Sequence, residues 1–303
     1  VAENFLVLSN EIGDNPYPFT KNNHVIMKEL IILNNIPTVG AAKKRALMQG
    51  CISLSALMEE LSTDIEKNRA RWEQDIELIE HHHVTAISYF DKHYPQHLLS
   101  CSDAPLLLYV KGDVSVLNTP SLAVVGTRKQ SSYGKTMAFT ISQQLARNKL
   151  TIVSGLAKGI DTSAHQGALT TGMTIAVLGS GLAQIYPAEN QGLADVIAKN
   201  GAIISELPMA TFPERQHFPR RNRIVSGMTL GTVLIEAPVK SGAMITMDCA
   251  RIQGRRLFAL PGRADMPSFT GNHALIKGGR AVLIENGDDI LSHFENLFLP
   301  TPS

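Results

Sequence analysis

Between Phe218 and Gly227 the chain reads FPRRNRIVSG, setting Arg220, Arg221 and Arg223 around the amide of Asn222, with Arg215 about one helical turn upstream. Clustered guanidinium groups repel one another and desolvate poorly, so a group of them joined to an apolar run needs an anionic answer. Planar Arg forks match phosphate oxygens, and an aromatic beside them, here Phe218, suits an unstacked base. The alternative is a solvated turn held by surface ion pairs. Two further stretches carry related chemistry. In VVGTRKQSSYG, Gly126 permits close approach, Thr127, Ser131 and Ser132 offer hydroxyls, and Arg128 and Lys129 supply charge. In SGLAKGIDTSAH, Ser154, Gly155 and Gly159 free backbone amides at a helix start while Lys158 adds a cation.

Nucleotide-binding motifs are approached and missed. Gly134-Lys135-Thr136 resembles the end of a P-loop, but the position five residues earlier is Lys129, and Gly126 is eight away. Gly179 and Gly181 open a dinucleotide fingerprint whose third glycine is replaced by Gln184. Asp161 and His165 share a helix face, which predicts an intrahelical hydrogen bond more readily than an acid/base pair. Neither GxSxG nor HExxH occurs, and no nucleophile with a partner base stands out. Cations from three segments without a nucleophile favour holding a polyanion over cutting it. No recognition helix for duplex grooves is evident, so a single strand held by phosphate clamps, with Phe218 and Phe212 as stacking or wedge residues, is the expectation.

The elements that must position these groups are legible from apolar runs. Nine runs of four to six residues follow one another from Val84 onward: TAISYF, PLLLYV, SLAVVG, LTIVSG, TIAVLG, GAIISE, TVLIE, RLFAL and AVLIE. Uninterrupted runs indicate strands buried on both faces, and the segments between them are long enough for crossover helices. This predicts an α/β fold with a doubly wound, mostly parallel sheet, whose ligands bind outside the carboxyl ends of the strands. Residues 1–82 read as helical, with Gly40 and Gly50 as helix stops. Residues 36–47 have the outline of a helix-hairpin-helix turn in which Thr38 stands where a second glycine is usual. The run His81-His82-His83 reads as an exposed connection and not as a metal site, because adjacent side chains diverge.

Composition narrows the class. The chain has 303 residues, 44% of them hydrophobic, with a net charge of +1, so any polyanion surface must be local. Three widely spaced cysteines suit reduced thiols. The absence of a leader or a long apolar run leads to the expectation of a soluble, cytoplasmic protein without a membrane contact.

The order VVGTR…YG, SGLAKGID…AHQGAL, TIAVLGSGL…IYPAEN, SELP, FPRRNRIVSG, SGAMIT and PGR…GN resembles the DNA-processing protein A family, DprA or Smf, over roughly residues 85–290. The resemblance implies an extended Rossmann-like domain (83–297) behind an N-terminal helical, SAM-like domain (1–82). With a short tail (298–303) after the Rossmann-like domain, the winged helix that many members append is expected to be absent. It further implies a non-enzymatic, cofactor-free homodimer that binds single-stranded DNA, protects it during natural transformation and loads RecA recombinase onto it. Carried over by motif, the DNA contacts are Gly126, Thr127, Arg128, Ser154, Gly155, Lys158, Arg215, Phe218, Arg220, Arg221, Asn222 and Arg223. Some of the arginines are alternatively braces against Glu206 or Glu236. Ala188 stands where many members of the family carry a basic residue. Leu275, Ile276, Val282, Leu283 and Ile284 are candidates for self-association or for core. The rival reading is a phosphoribohydrolase-like enzyme, whose PGGxGTxxE stretch is half matched by Gly231, Thr232 and Glu236.

Overall fold

The computed structural model describes residues 23–297. Five helices come first: α1 (Asn23–Asn35), α2 (Ala41–Met48), α3 (Leu54–Glu60), α4 (Ser62–Lys67) and α5 (Arg69–His81). The alternating part follows as β1 (Thr85–Ser88), α6 (Gln96–Leu99), β2 (Leu107–Gly112), β3 (Ser121–Val125), α7 (Ser132–Arg147) and β4 (Thr151–Ser154). It continues through α8 (Ile160–Ala168), β5 (Thr174–Val177), α9 (Gln191–Asn200), β6 (Ala202–Ser205), α10 (His217–Gly227) and β7 (Gly231–Leu234). The last elements are α11 (Gly242–Ile252), β8 (Arg256–Ala259), α12 (Thr270–Lys277), β9 (Val282–Leu283) and α13 (Gly287–Leu291).

Each of the nine apolar runs contributes a strand to one sheet, in the order β1-β2-β6-β5-β4-β3-β7-β8-β9. The block from β6 to β9 is parallel, and β2 pairs antiparallel with both β1 and β6. The order reverses at β3, which lies between β4 and β7, so a crevice is expected beyond the carboxyl ends of these strands. Strand residues alternate between two covered faces. Ala123, Val125, Val153 and Val177 pack with Ile224 and Val225 of α10 and Met247 of α11. Leu122, Val124 and Ile152 pack with Ile141 of α7 and Ile160 of α8 on the other face.

The N-terminal helices extend this second face beside α9, where Leu33, Leu57 and Trp72 share a core with Leu107, Tyr109 and Ile203. A buried carboxylate joins them to the sheet. Asp75 accepts hydrogen bonds from Asn35 Nδ2 and Tyr109 Oη, both at 2.7 Å, and from the Met209 backbone at 2.6 Å. Gly40 opens α2 and is not a stop, whereas Gly50 follows that helix with φ of 70°, a conformation that glycine adopts without a Cβ clash. The five apolar residues considered for self-association divide. Leu275 and Ile284 are buried, while Val282 and Leu283 lie exposed on the edge strand β9.

The Asp161–His165 hydrogen bond does not form. Asp161 accepts from the backbone N–H groups of Gly155 and Ala157, and His165 Nδ1 pairs with Thr174 Oγ1 at 2.7 Å. Burial, reinforced by the charge of Arg221, lowers the His165 pKa from 6.5 to about 3, so the ring stays neutral in the fold. The unfolded chain takes up a proton near pH 6.5 that the native state refuses. The resulting stability is therefore complete above that pH and falls as pH drops toward 3. Denaturant unfolding at pH 7 and pH 5 should show His165 contributing about 2 kcal/mol of the loss. His165→Leu should remove that part, and an unchanged pH dependence in the variant would contradict it.

Candidate nucleic-acid interface

The arginine stretch is a helix, α10, and not the turn or loop that its composition suggests. Pro219 lies in the first turn, where its missing N–H has no helical partner to lose. The helix thus separates side chains that are neighbours in sequence. Phe218, Arg221, Asn222 and Val225 face one way, and His217, Arg220 and Arg223 face another.

The first face forms a wall of a cavity of about 650 Å³ at the carboxyl ends of β3, β4 and β7. Eight of the twelve expected contact residues line it: Gly126, Thr127, Arg128, Gly155, Arg215, Phe218, Arg221 and Asn222. The glycines are required by close approach. A Cβ on Gly126 would meet Ile160 and the Glu236 carbonyl, and one on Gly155 would strike the Arg221 guanidinium. Between β4 and α8 the chain turns through Leu156, a buried residue with φ of 56°, whose carbonyl accepts from Asn190 Nδ2 at 2.8 Å. A branched residue adopts this conformation only when its surroundings impose it.

The floor and the rim of the cavity differ in kind. Arg221 is buried, and its Nη1 donates to the carbonyls of Gly155 and Val177 at the ends of β4 and β5. Its Nε donates to Asn222 Oδ1 at 3.1 Å, and Asn222 Nδ2 in turn donates to the Gly242 carbonyl at 3.2 Å, which ties α10 to α11. Burial lowers the Arg221 pKa to about 10, partly offset by the Asp161 carboxylate. Burial likewise raises the Asp161 pKa, and Arg221 opposes that rise. Arg221 is thus a fixed charge supporting the pocket from beneath.

The rim carries cations with no protein anion to satisfy them. Arg128, Arg215 and Lys240 are exposed around the cavity, and among the described residues none makes an ion pair. The Arg128 guanidinium lies 5.1 Å from the Phe218 ring centre, and the Tyr186 ring is tilted against the same ring with its centre 5.6 Å away. Lys158 stands on an adjoining lip with Arg128 and Tyr186, paired to Glu189 at 2.6 Å. Both partners are more than half exposed, so that pair is readily exchanged for another anion.

The remaining expected residues lie elsewhere. Ser154 is buried and donates to the Val124 carbonyl at 2.7 Å, inside the sheet. Arg220 and Arg223 turn away from the cavity and share Glu206 Oε2, at 3.1 and 2.6 Å. Glu206 therefore acts as a brace, whereas Glu236 accepts from the Ser131 backbone and hydroxyl and holds the start of α7. Lys240 and Tyr186 escaped sequence reasoning. The usable signal for Lys240 was its place just beyond the β7 run, in TVLIEAPVKSG.

The model of the family named DNA recombination-mediator protein A matches residues 85–295, which contain this cavity. The chain belongs to that family. Protein Smf of Escherichia coli is 43% identical over 217 residues, which are 71% of this chain and 57% of that protein. DNA processing protein DprA of Streptococcus pneumoniae is also 43% identical, over 69% of this chain and 74% of its own length. The X-ray structure of the pneumococcal DprA superimposes with a TM-score of 0.72 at 34% identity, covering 90% of this chain and 98% of that one. A structure of DprA from Helicobacter pylori, described for its single-stranded DNA binding mode, gives 0.65 at 31% identity, covering 71% and 97%.

Arg221 and Asp161 influence each other as buried opposite charges without a direct ion pair, and a buried charge that loses its counter-charge is destabilised by up to about 3–5 kcal/mol. Arg221→Met should lower unfolding stability by an amount of that order. Asp161→Asn added to it should cost less than Asp161→Asn alone, because the carboxylate has then lost its counter-charge. A double-mutant cycle in denaturant measures this coupling, and strict additivity would show the two groups to be independent.

Proposed function

We propose that this protein binds single-stranded DNA in the α10 cavity, with phosphates held by Arg128, Arg215 and Lys240 and a base resting against Phe218 and Tyr186. The observation carrying the proposal is the set of rim cations, without ion pairs among the described residues, around an aromatic pair. Phosphate contacts of this kind bind strands of any sequence, and aromatic faces accept any base. Gly126, Thr127, Gly155 and Asn222 shape the cavity, and Lys158 extends it along one lip. Arg220 and Arg223 belong to this reading only as the brace that orients α10.

The description of the family as recombination mediators supports a wider role: shielding incoming DNA in natural transformation and passing it to RecA recombinase, as a homodimer that holds two strands together. The chain spans just over half the length of E. coli Smf. The enzymatic alternative is weakened by Glu236, the carboxylate it would rely on. That residue is buried and already accepts two hydrogen bonds from Ser131.

Fluorescent oligonucleotide titrations across a salt series test the site. Arg128→Ala and Lys240→Ala should each flatten the slope of log K against log salt by about 0.7, the value for one phosphate on a single strand. Phe218→Ala should weaken all sequences by about 1–3 kcal/mol without changing that slope. Slopes equal to the wild type would remove the rim cations from the site. Nucleoside monophosphates should release no base on incubation with the protein. RecA should assemble faster on a strand covered by single-strand-binding protein when this chain is present, and Arg128→Ala should lose that acceleration.

A further inference from the structure

The opposite face of α10 closes a second cleft, of about 360 Å³, against the N-terminal helices. Lys44 and Arg45 of α2, Arg71 of α5, and Arg220 and Arg223 of α10 line it. Two carboxylates, Glu206 and Asp103, line it as well, so five cations face two anions. The two anions are already engaged. Glu206 takes both Arg220 and Arg223, and Asp103 lies 3.6 Å from Arg223 Nε. The partner of Lys44 is neutral, the Asn34 side-chain carbonyl at 2.7 Å, and among the described residues Arg45 and Arg71 have no ion pair.

Two polar positions behind this lining remain unmatched. Arg223 Nη1 and His217 Nδ1 are buried without a hydrogen-bond partner. The first turn of α2 also opens on the cleft with no side-chain cap at Gly40. The local charge is reflected in Lys44, whose pKa falls to about 8, first through burial and then through Arg220. An anion of tetrahedral oxygens would answer the cations that line the cleft without an ion pair.

We propose that this cleft is a second phosphate-binding site, built jointly by α2, α5 and α10 and separate from the cavity on the other side of the same helix. Its ligand is a phosphate group, either of a nucleic-acid strand or of a free phosphate compound. The site does not depend on what the first cavity holds.

Thermal unfolding with inorganic phosphate, against chloride at equal ionic strength, provides the test. Phosphate should raise the midpoint of the wild type and should still raise it in Arg128→Ala, whose first cavity has lost a phosphate contact, and Lys44→Gln introduced into Arg128→Ala should lose most of the rise that remains. Should Lys44→Gln fold poorly, the exposed pair Arg45→Gln/Arg71→Gln replaces it, with a several-fold weaker apparent phosphate affinity expected. No phosphate effect in the wild type, an effect untouched by these variants, or one abolished by Arg128→Ala would each overturn the proposal. Strand binding then separates the sources. A slope of log K against log salt flattened by about 0.7 in Lys44→Gln for long oligothymidylate, but not for short, assigns a phosphodiester. An unchanged slope with the phosphate effect lost assigns a free phosphate compound.

Discussion

A buried guanidinium ties α10 to the carboxyl end of the sheet. Arg221 reaches from α10 to the carbonyl groups at the ends of β4 and β5, with Asp161 as the nearby opposing charge. A charge removed from water is stable only when its hydrogen-bonding directions are met, which restricts where α10 can lie. Gly155 follows from this, since any side chain there would collide with the guanidinium. The Phe218 ring and the rim cations are then positioned by a helix that the sheet itself anchors.

The same helix divides the molecule's positive charge. Three arginines within four residues project into three surroundings: Arg221 into the floor of the cavity, Arg223 into a half-enclosed pair with Glu206, and Arg220 outward beside the same carboxylate. Helical geometry produces this separation, because adjacent side chains are turned about 100° from each other. Repulsion that would be severe in a compact loop is thereby reduced, and each wall of α10 carries its own cationic surface. A net charge near zero for the whole chain is compatible with this, as the field that matters is local.

The strands were readable in advance because burial on both faces leaves a continuous apolar run, a pattern few other structures produce. Their order across the sheet, and so the reversal at β3, was expected only as a fold class. The residues carried over from the family motifs, Gly126, Arg128, Gly155 and Phe218 among them, do come together around one cavity. The roles of the individual arginines could not be read, since residue type is silent about which carbonyl or carboxylate will face it. Ser154 looked like a loop donor, yet it is bonded within the sheet. Lys240 and Tyr186 were overlooked because each is a single residue whose relevance arises only when distant segments meet at the strand ends. The Asp161–His165 spacing suggested a local pair, and tertiary partners at Gly155, Ala157 and Thr174 displaced it.

The most direct test of the account is a crystal structure of the protein with a short oligothymidylate. Phosphate oxygens within hydrogen-bond distance of Arg128 and Lys240, with a base against the Phe218 ring and Arg221 still bonded to the Gly155 carbonyl, is the predicted arrangement. A strand bound on another surface, with the α10 cavity filled only by solvent, would contradict it.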